Sequence, residues 1–221
     1  MGRDQSPGLA IFDCDGVLVD TEPVSNRVMA EAITEAGLPM SADAVAGAFE
    51  GMRLDDIAAA VENELEAALP EGWVPAFEKR RATEFRKGVE AVPAVTSALV
   101  RIAAAGIRIC VASQASREKT ELTLDLSGLI DHFEADALFS SRMVTLGKPH
   151  PDLFLHAARS MRFEPDEAVV IEDGVLGVRA GRLAGMKVFG YAASGDGARL
   201  AGEGATVFRS MSELPSLLGL N

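Results

Sequence analysis

The stretch Leu9–Glu22 constrains this chain more than any other. Four apolar residues, Leu9 to Phe12, run directly into Asp13, and Asp15 and Gly16 follow at once. An apolar run this short, closed by turn formers, reads as a strand buried on both faces, the kind found in helix-covered parallel sheets. Ligands of such sheets bind outside the carboxyl ends of the strands, which puts Asp13 at the mouth of a site. If the backbone stays near-extended, Asp15 points the same way, because side chains repeat every second residue. Taken alone, Asp-x-Asp-Gly is equally good turn or cap chemistry. The rest of the chain has to decide.

Length and charge narrow the class. At 221 residues and 48% hydrophobic composition the chain can bury a full core, and disorder is disfavoured. A formal charge of −12 argues against a nucleic-acid backbone or an anionic membrane as partner. It leaves room for a small anionic substrate, because a local metal ion or lysine outweighs the global field. No apolar run approaches the roughly 20 residues needed to span a bilayer. Met1 to Gly8 is polar, lacks the features of a secretory leader and reads as a short disordered lead-in. Two cysteines, Cys14 and Cys110, make neither a disulfide framework nor a zinc site and read as buried free thiols in a reducing cytoplasm. A monomer or weak homo-oligomer is expected.

After Asp20 the apolar period changes from strand to helix. Glu22 to Gly37, Arg53 to Leu69 and Trp73 to Lys87 each carry a helical face, and nothing between Thr21 and Gly88 reads as a strand. From Val89 onward, strands (107–112, 137–139, 168–171, 188–191 and 206–208) alternate with helices (93–105, 116–126, 149–161, 174–184 and 211–218). Ser116 is read as an N-cap, and Pro149 and Pro151 as part of a first helical turn. Ala192 to Gly204 reads as part loop, part helix. Alternating strands and helices imply a parallel sheet with right-handed crossovers. The fold class is therefore α/β: a Rossmann-like core, residues 1–20 and 89–221, with an all-helical cap inserted at 21–88. An insert after the first strand hangs over the carboxyl edge, where a lid belongs.

Strand ends now deliver polar residues to one edge: Asp13 and Asp15, then Ser113 and Gln114, then Glu172 and Asp173, with Lys148 just before a helix. Singly, each is ordinary cap, loop or surface chemistry; together they suit phosphoryl transfer. A carboxylate serves as a covalent nucleophile, but a phosphate dianion repels it, so the site must supply positive charge. Four acids and one lysine leave a deficit that a hard divalent cation fills, and oxygen-only ligands favour Mg²⁺. Asp13 and Asp173 are the expected direct ligands, with a backbone carbonyl near Asp15 and Glu172 bound directly or one step removed. Clustered carboxylates raise one member's pKa, which suggests a protonated Asp15 that gives its proton to the leaving oxygen and then activates water. Ser113, Gln114 through its backbone, and Lys148 would hold the phosphate oxygens.

The motifs at 12–22 (Phe-Asp-Cys-Asp-Gly-Val-Leu-Val-Asp-Thr-Glu), 111–114 (Val-Ala-Ser-Gln), 147–152 (Gly-Lys-Pro-His-Pro-Asp) and 170–181 (Val-Ile-Glu-Asp-Gly-Val-Leu-Gly-Val-Arg-Ala-Gly) together resemble the haloacid dehalogenase superfamily, in that family's order. The resemblance implies a Rossmann-like core with a helical cap. It implies Asp13 as nucleophile, Asp15 as general acid and base, Ser113 and Lys148 as phosphate binders and Asp173 as a magnesium ligand. Leu18 to Asp20 would close a hairpin flap beside the site. The nearest branch holds β-phosphoglucomutase and sugar-phosphate phosphatases, including 6-phosphogluconate phosphatase. The segment 49–54 is similar to that branch's specificity loop, which nominates Gly51 for close backbone approach and Arg53 for the leaving group; an ordinary exposed charge at a helix start competes for Arg53. β-Phosphoglucomutase carries a histidine a few residues beyond the Asp-Thr pair, where this chain has Ser25, and that departure favours hydrolysis over mutase activity. A receiver-like signalling module is the non-enzymatic alternative, and a metal-independent 2-haloacid dehalogenase is disfavoured by the second aspartate of Asp-x-Asp. His132, His150 and His156 form no cluster in sequence and read as surface or structural.

Overall fold

In the computed structural model, which describes residues 6–195 and 197–220, a six-stranded sheet runs β5-β4-β1-β6-β7-β8 with every pairing parallel. Its strands are β1 (Leu9–Phe12), β4 (Arg108–Ser113), β5 (Leu138–Ser140), β6 (Ala168–Glu172), β7 (Lys187–Tyr191) and β8 (Thr206–Phe208). β1 lies in the middle, paired to β4 and β6, and all four of its residues are fully buried. Alternation along β1 feeds two cores. Ala10 and Phe12 join the apolar cluster beneath α5 (Val95–Ala104) and α6 (Arg117–Leu126). Leu9 and Ile11 join the one beneath α7 (Asp152–Met161) and α8 (Val175–Leu183). A strand with water on neither side cannot tolerate a polar residue until it ends, and the first one is Asp13. The short α9 (Ala198–Gly202) and α10 (Leu214–Leu217) complete the chain. No helix among the described residues is long and apolar enough to cross a membrane.

Between β1 and β4 the chain leaves the sheet. β2 (Val19–Asp20) and β3 (Glu90–Ala91) pair antiparallel and form a two-stranded neck. Four helices lie between them: α1 (Glu22–Glu35), α2 (Ala42–Phe49), α3 (Leu54–Leu65) and α4 (Trp73–Phe85). They bury their own cluster, built on Val28, Ile33, Val61 and Phe77. Burial of those side chains contributes roughly 1.5–3 kcal/mol each, so the four helices pack on one another around a core of their own.

Several sequence expectations are refined. The helix α2 was not anticipated; its signals are Ser41, whose side chain accepts from the Ala44 N–H, and Asp43 in the first turn. The helix expected over Arg53–Leu69 stops at Leu65, because Glu66 turns left-handed (φ 51°) and Glu62 then accepts from the Leu69 N–H. Pro149 and Pro151 precede α7 rather than form its first turn; the chain folds back there, His150 N–H donating to the Gly147 carbonyl at 2.9 Å. Ser116 caps α6 as its position suggested. Cys14 and Cys110 are free and fully buried. Of the polar lead-in expected over Met1–Gly8, residues 1–5 lie outside the described residues.

Candidate active site

The carboxyl edge of the sheet forms one wall of a cavity of about 200 Å³ whose opposite wall is the helical insert. Asp13 and Asp15 reach it from the end of β1, Ser113 and Gln114 from β4, Lys148 from the turn before α7, and Glu172 and Asp173 from β6. All seven line that cavity, together with Gly51 and Arg53 from the insert. None of the three histidines does.

Lys148 organises the acidic end. It is buried, with Nζ 2.9 Å from Asp13 Oδ1 and 2.5 Å from Glu172 Oε1. These are ion pairs of short distance but poor angle: none of the three atoms makes a well-directed hydrogen bond, and all three are shut off from water. Burial alone would lower the Lys148 pKa; the carboxylates of Asp13 and Glu172 more than reverse this and hold it protonated. One lysine does not satisfy the surrounding acids. Burial pushes the Asp13 carboxyl up, with Lys148 opposing and Asp15 adding to the rise. Burial lifts Glu172 to about 7 despite Lys148. Asp173 rises well above the carboxylate range, from burial and then from the charges of Glu172, Asp13 and Glu22.

The same three acids, Asp13, Glu172 and Asp173, place one oxygen each within 4.8 Å of one another. Two of those residues carry buried oxygens without a well-directed donor, and all three have pKa values raised first by burial and then by neighbouring carboxylates, which Lys148 only partly offsets. An all-oxygen donor set in that electrostatic state fits a hard divalent cation such as Mg²⁺. Two glycines make the cradle possible. A Cβ on Gly16 would lie 1.8 Å from Asp173 Oδ2, and one on Gly177 would lie 1.9 Å from Glu172 Oε1. Gly16 also has φ +73°, as the chain turns sharply after Asp15.

Asp15 stands apart from that cluster. Its carboxylate takes short contacts from Lys119 Nζ and from the Thr21 hydroxyl. Burial pushes its pKa up, but Lys119, Thr21 and Arg81 together outweigh burial, and the net shift is downward. The sequence suggested the reverse, a protonated Asp15, because the neighbouring acids were visible there and Lys119 was not. Lys119 sits in the first turn of α6, 104 residues from Asp15, with its ammonium buried and 5.5 Å from the Phe85 ring centre. A lysine at a helix N-terminus opposes the helix dipole. That placement, next to the Ser116 cap, was the available signal.

Ser113 is buried, and its Oγ accepts from the Ala115 N–H at 3.1 Å, which leaves the hydroxyl proton free to donate. The Gln114 side chain acts as a clamp. Its oxygen accepts from the Lys148 N–H at 3.0 Å, and its nitrogen donates to the carbonyls of Lys148 and Gly51, both at 3.2 Å. It thereby fixes the Lys148 turn and reaches across to the insert. Arg53 Nη1 makes a second crossing, donating to the Thr145 carbonyl at 3.4 Å. Two ion pairs also cross: Arg142 to Glu78 at 3.0 Å and Arg199 to Glu50 at 3.1 Å.

Comparison with known proteins places these features in a family. Residues 8–185 match the model of the haloacid dehalogenase-like hydrolases. The chain is 29% identical over 206 residues to the 6-phosphogluconate phosphatase of Escherichia coli (strain K12), covering 93% of this chain and 92% of that one. It is 33% identical over 178 residues to the fructose-1-phosphate phosphatase YqaB of the same organism, covering 80% and 92%. Among solved structures it is similar to a HAD family hydrolase from Deinococcus radiodurans R1 with bound phosphate and sodium. The TM-score is 0.75, with 30% identity over 97% of this chain and 96% of that one.

Proposed function

The chain belongs to the haloacid dehalogenase-like hydrolase family, and on that premise we propose that it is a Mg²⁺-dependent phosphatase that hydrolyses a small phosphorylated metabolite, a sugar phosphate in class, through a phosphorylated Asp13. One observation carries the reading: four segments far apart in sequence bring the half-buried Asp13 carboxylate, a hydroxyl donor, a buried ammonium and two further acids to one cavity. The curated relatives named above are phosphatases of phosphorylated sugars or sugar acids, which supports the substrate class. Ser25 lines the same cavity where the mutase branch has its histidine, which supports hydrolysis over isomerisation.

Asp13 Oδ attacks phosphorus, and the bond from phosphorus to the leaving oxygen breaks. Lys148, released from Asp13 by the incoming anion, and the Ser113 hydroxyl hold the equatorial oxygens. Asp13, Asp173 and Glu172 would hold Mg²⁺, which would supply the positive charge that lets a carboxylate meet a phosphate dianion. Asp15 gives a proton to the departing alkoxide. The free site keeps Asp15 ionised, but a phosphate dianion beside it raises its pKa, so Asp15 takes up a proton from solvent as the substrate binds. Asp15 then removes a proton from water as that water attacks phosphorus, which frees phosphate and restores Asp13. Residues 21–88 act as a lid, with residues 1–20 and 89–221 as the catalytic core; Gln114 and Arg53 join the two when it closes, and Gly51 and Arg53 face the leaving group. The enzyme works on a soluble metabolite in the cytoplasm.

Hydrolysis of an aryl phosphate with Mg²⁺, lost on chelation, is the expected result. Phosphorus NMR of a hexose 1-phosphate should give free phosphate; an isomerised sugar phosphate in its place would turn the reading to a mutase.

A further inference from the structure

The proposed chemistry uses the acidic end of the cavity and leaves the wall supplied by α4 unassigned. On α4, Phe77, Arg81 and Phe85 follow one another at four-residue steps and lie along one stripe of the helix. Both phenylalanines are buried, and the Arg81 guanidinium lies 4.8 Å from the Phe77 ring centre and 6.0 Å from that of Phe85. A charge on the stripe that faces inward calls for a counter-charge. The acids nearby are engaged elsewhere. Glu78 is bonded to Arg142 at 3.0 Å, and Asp15 is held by Lys119 and Thr21. Arg81 makes no ion pair or side-chain hydrogen bond among the described residues. Burial and the like charge of Arg142 both act against its protonated form, with Asp15 and Glu78 only partly offsetting them. Arg81, Arg142 and Lys119 line the active cavity and also a second cavity of about 480 Å³. Arg81 thus stands where the active cavity and this second cavity share a wall.

We propose that Arg81 receives a second anionic group of the substrate, a carboxylate or a phosphate on the leaving group, so that doubly anionic phosphate esters are selected over neutral polyol esters. The planar guanidinium fork suits either anion. Stacking on Phe77 holds the group in place before the ligand arrives. The part of this inference that concerns turnover rests on the phosphatase reading; the part that concerns binding does not.

The test compares three esters of equal chain length, a phosphorylated sugar acid, a sugar bisphosphate and a phosphorylated hexitol, on the full-length protein with Mg²⁺. A charged hydrogen bond of ordinary strength predicts that kcat/KM for a doubly anionic ester exceeds that for the hexitol ester by about tenfold or more. The preferred member, acid or bisphosphate, identifies the anion. Arg81→Gln should bring the ratio toward unity, and Arg81→Lys should restore part of it. Arg80→Gln should keep the ratio, because Arg80 pairs with Glu31 and Glu35 away from the cavity. Calorimetric binding of the same esters gives a second readout that needs no turnover. Hydrolysis without preference for the second anion, or a preference that survives Arg81→Gln, overturns the subsite and leaves the phosphatase reading standing. Arg81-dependent tightening by the second anion without any hydrolysis overturns the phosphatase reading and leaves the subsite standing.

Discussion

Replacing Gly16 with alanine separates the strain of a turn from the geometry of the acid cradle. Two effects are superimposed at this position. The first is backbone: φ is +73°, and an L-residue there costs about 1–2 kcal/mol. Stiffening the unfolded chain returns about 0.4–1 kcal/mol. The second is contact: the new Cβ would lie 1.8 Å from Asp173 Oδ2 and 2.8 Å from Cγ. Gly72 supplies the control, with φ +77° and no atom within 4 Å of the place its methyl group would take. Gly72→Ala should therefore show the backbone cost alone, about 1 kcal/mol or roughly 2–4 °C in Tm for a chain of this size. Asp173 meets the new methyl group with the end of its side chain, which can rotate away more cheaply than a packed core can deform. The additional stability cost of Gly16→Ala should accordingly fall at or below the low end of the roughly 1–3 kcal/mol typical of overpacking. The damage should appear instead in Mg²⁺ affinity, because the rotation removes a carboxylate from the triad. Losing a supporting neighbour of a ligand costs about 10–100-fold, and displacing the ligand itself should cost at least the upper figure. Calorimetric titration with Mg²⁺ alone, alongside melting curves, reads both quantities. Wild-type Mg²⁺ affinity in Gly16→Ala, or the same loss in Gly72→Ala, would refute the assignment of Asp173 as a ligand.

The acids also set a pH dependence. Glu172 titrates at about 7 in the folded chain against 4.5 ordinarily, so the folded state binds that proton more tightly than the unfolded state. Its stabilisation is complete below 4.5 and lost as pH rises through about 7. Asp13 and Asp173 shift in the same direction. The Tm of the chelator-treated protein should therefore fall across that window, and added Mg²⁺ should flatten the fall; a Tm that climbs with pH under chelation would contradict the cluster's electrostatics. Lys119→Met leaves Asp15 with Thr21 and no ammonium, so kcat should drop by about 10²-fold or more, the lower range for loss of general acid–base help. Activity within twofold of wild type, about 0.4 kcal/mol on the barrier, would show that Lys119 does not position Asp15.

The residues legible in the sequence are those whose position follows from where a strand must end. Asp13, Ser113 and Glu172 each close a buried apolar run, and a parallel sheet sends such closures to one edge. Asp173 follows Glu172 at the same strand end and Lys148 stands just before a helix, whereas Gly51 came only with the resemblance of residues 49–54 to a specificity loop. Lys119, Arg81 and Thr21 were missed because they reach the cavity from helix faces and from the neck, and helix packing is a tertiary fact that period alone does not specify. Arg81 still left a trace, a guanidinium on the stripe of Phe77 and Phe85. The helix α2 left less: in Ala42–Phe49 only Val45 is buried, so its apolar period is too thin to stand out. The protonation of Asp15 was misjudged for the same reason as Lys119, since four acids were countable in sequence and their second cation was not.

The proposed mechanism requires that Asp13 carry the phosphoryl group during turnover. Acid quenching during turnover of a phosphate ester, followed by peptide mass spectrometry, tests it without assuming the natural substrate. A phosphoryl group on the peptide containing Asp13, convertible by borohydride reduction to homoserine at that position and absent from Asp13→Asn, is the expected result. Steady turnover with no phosphoryl group trapped on Asp13, together with wild-type rates in Asp13→Asn, would contradict it.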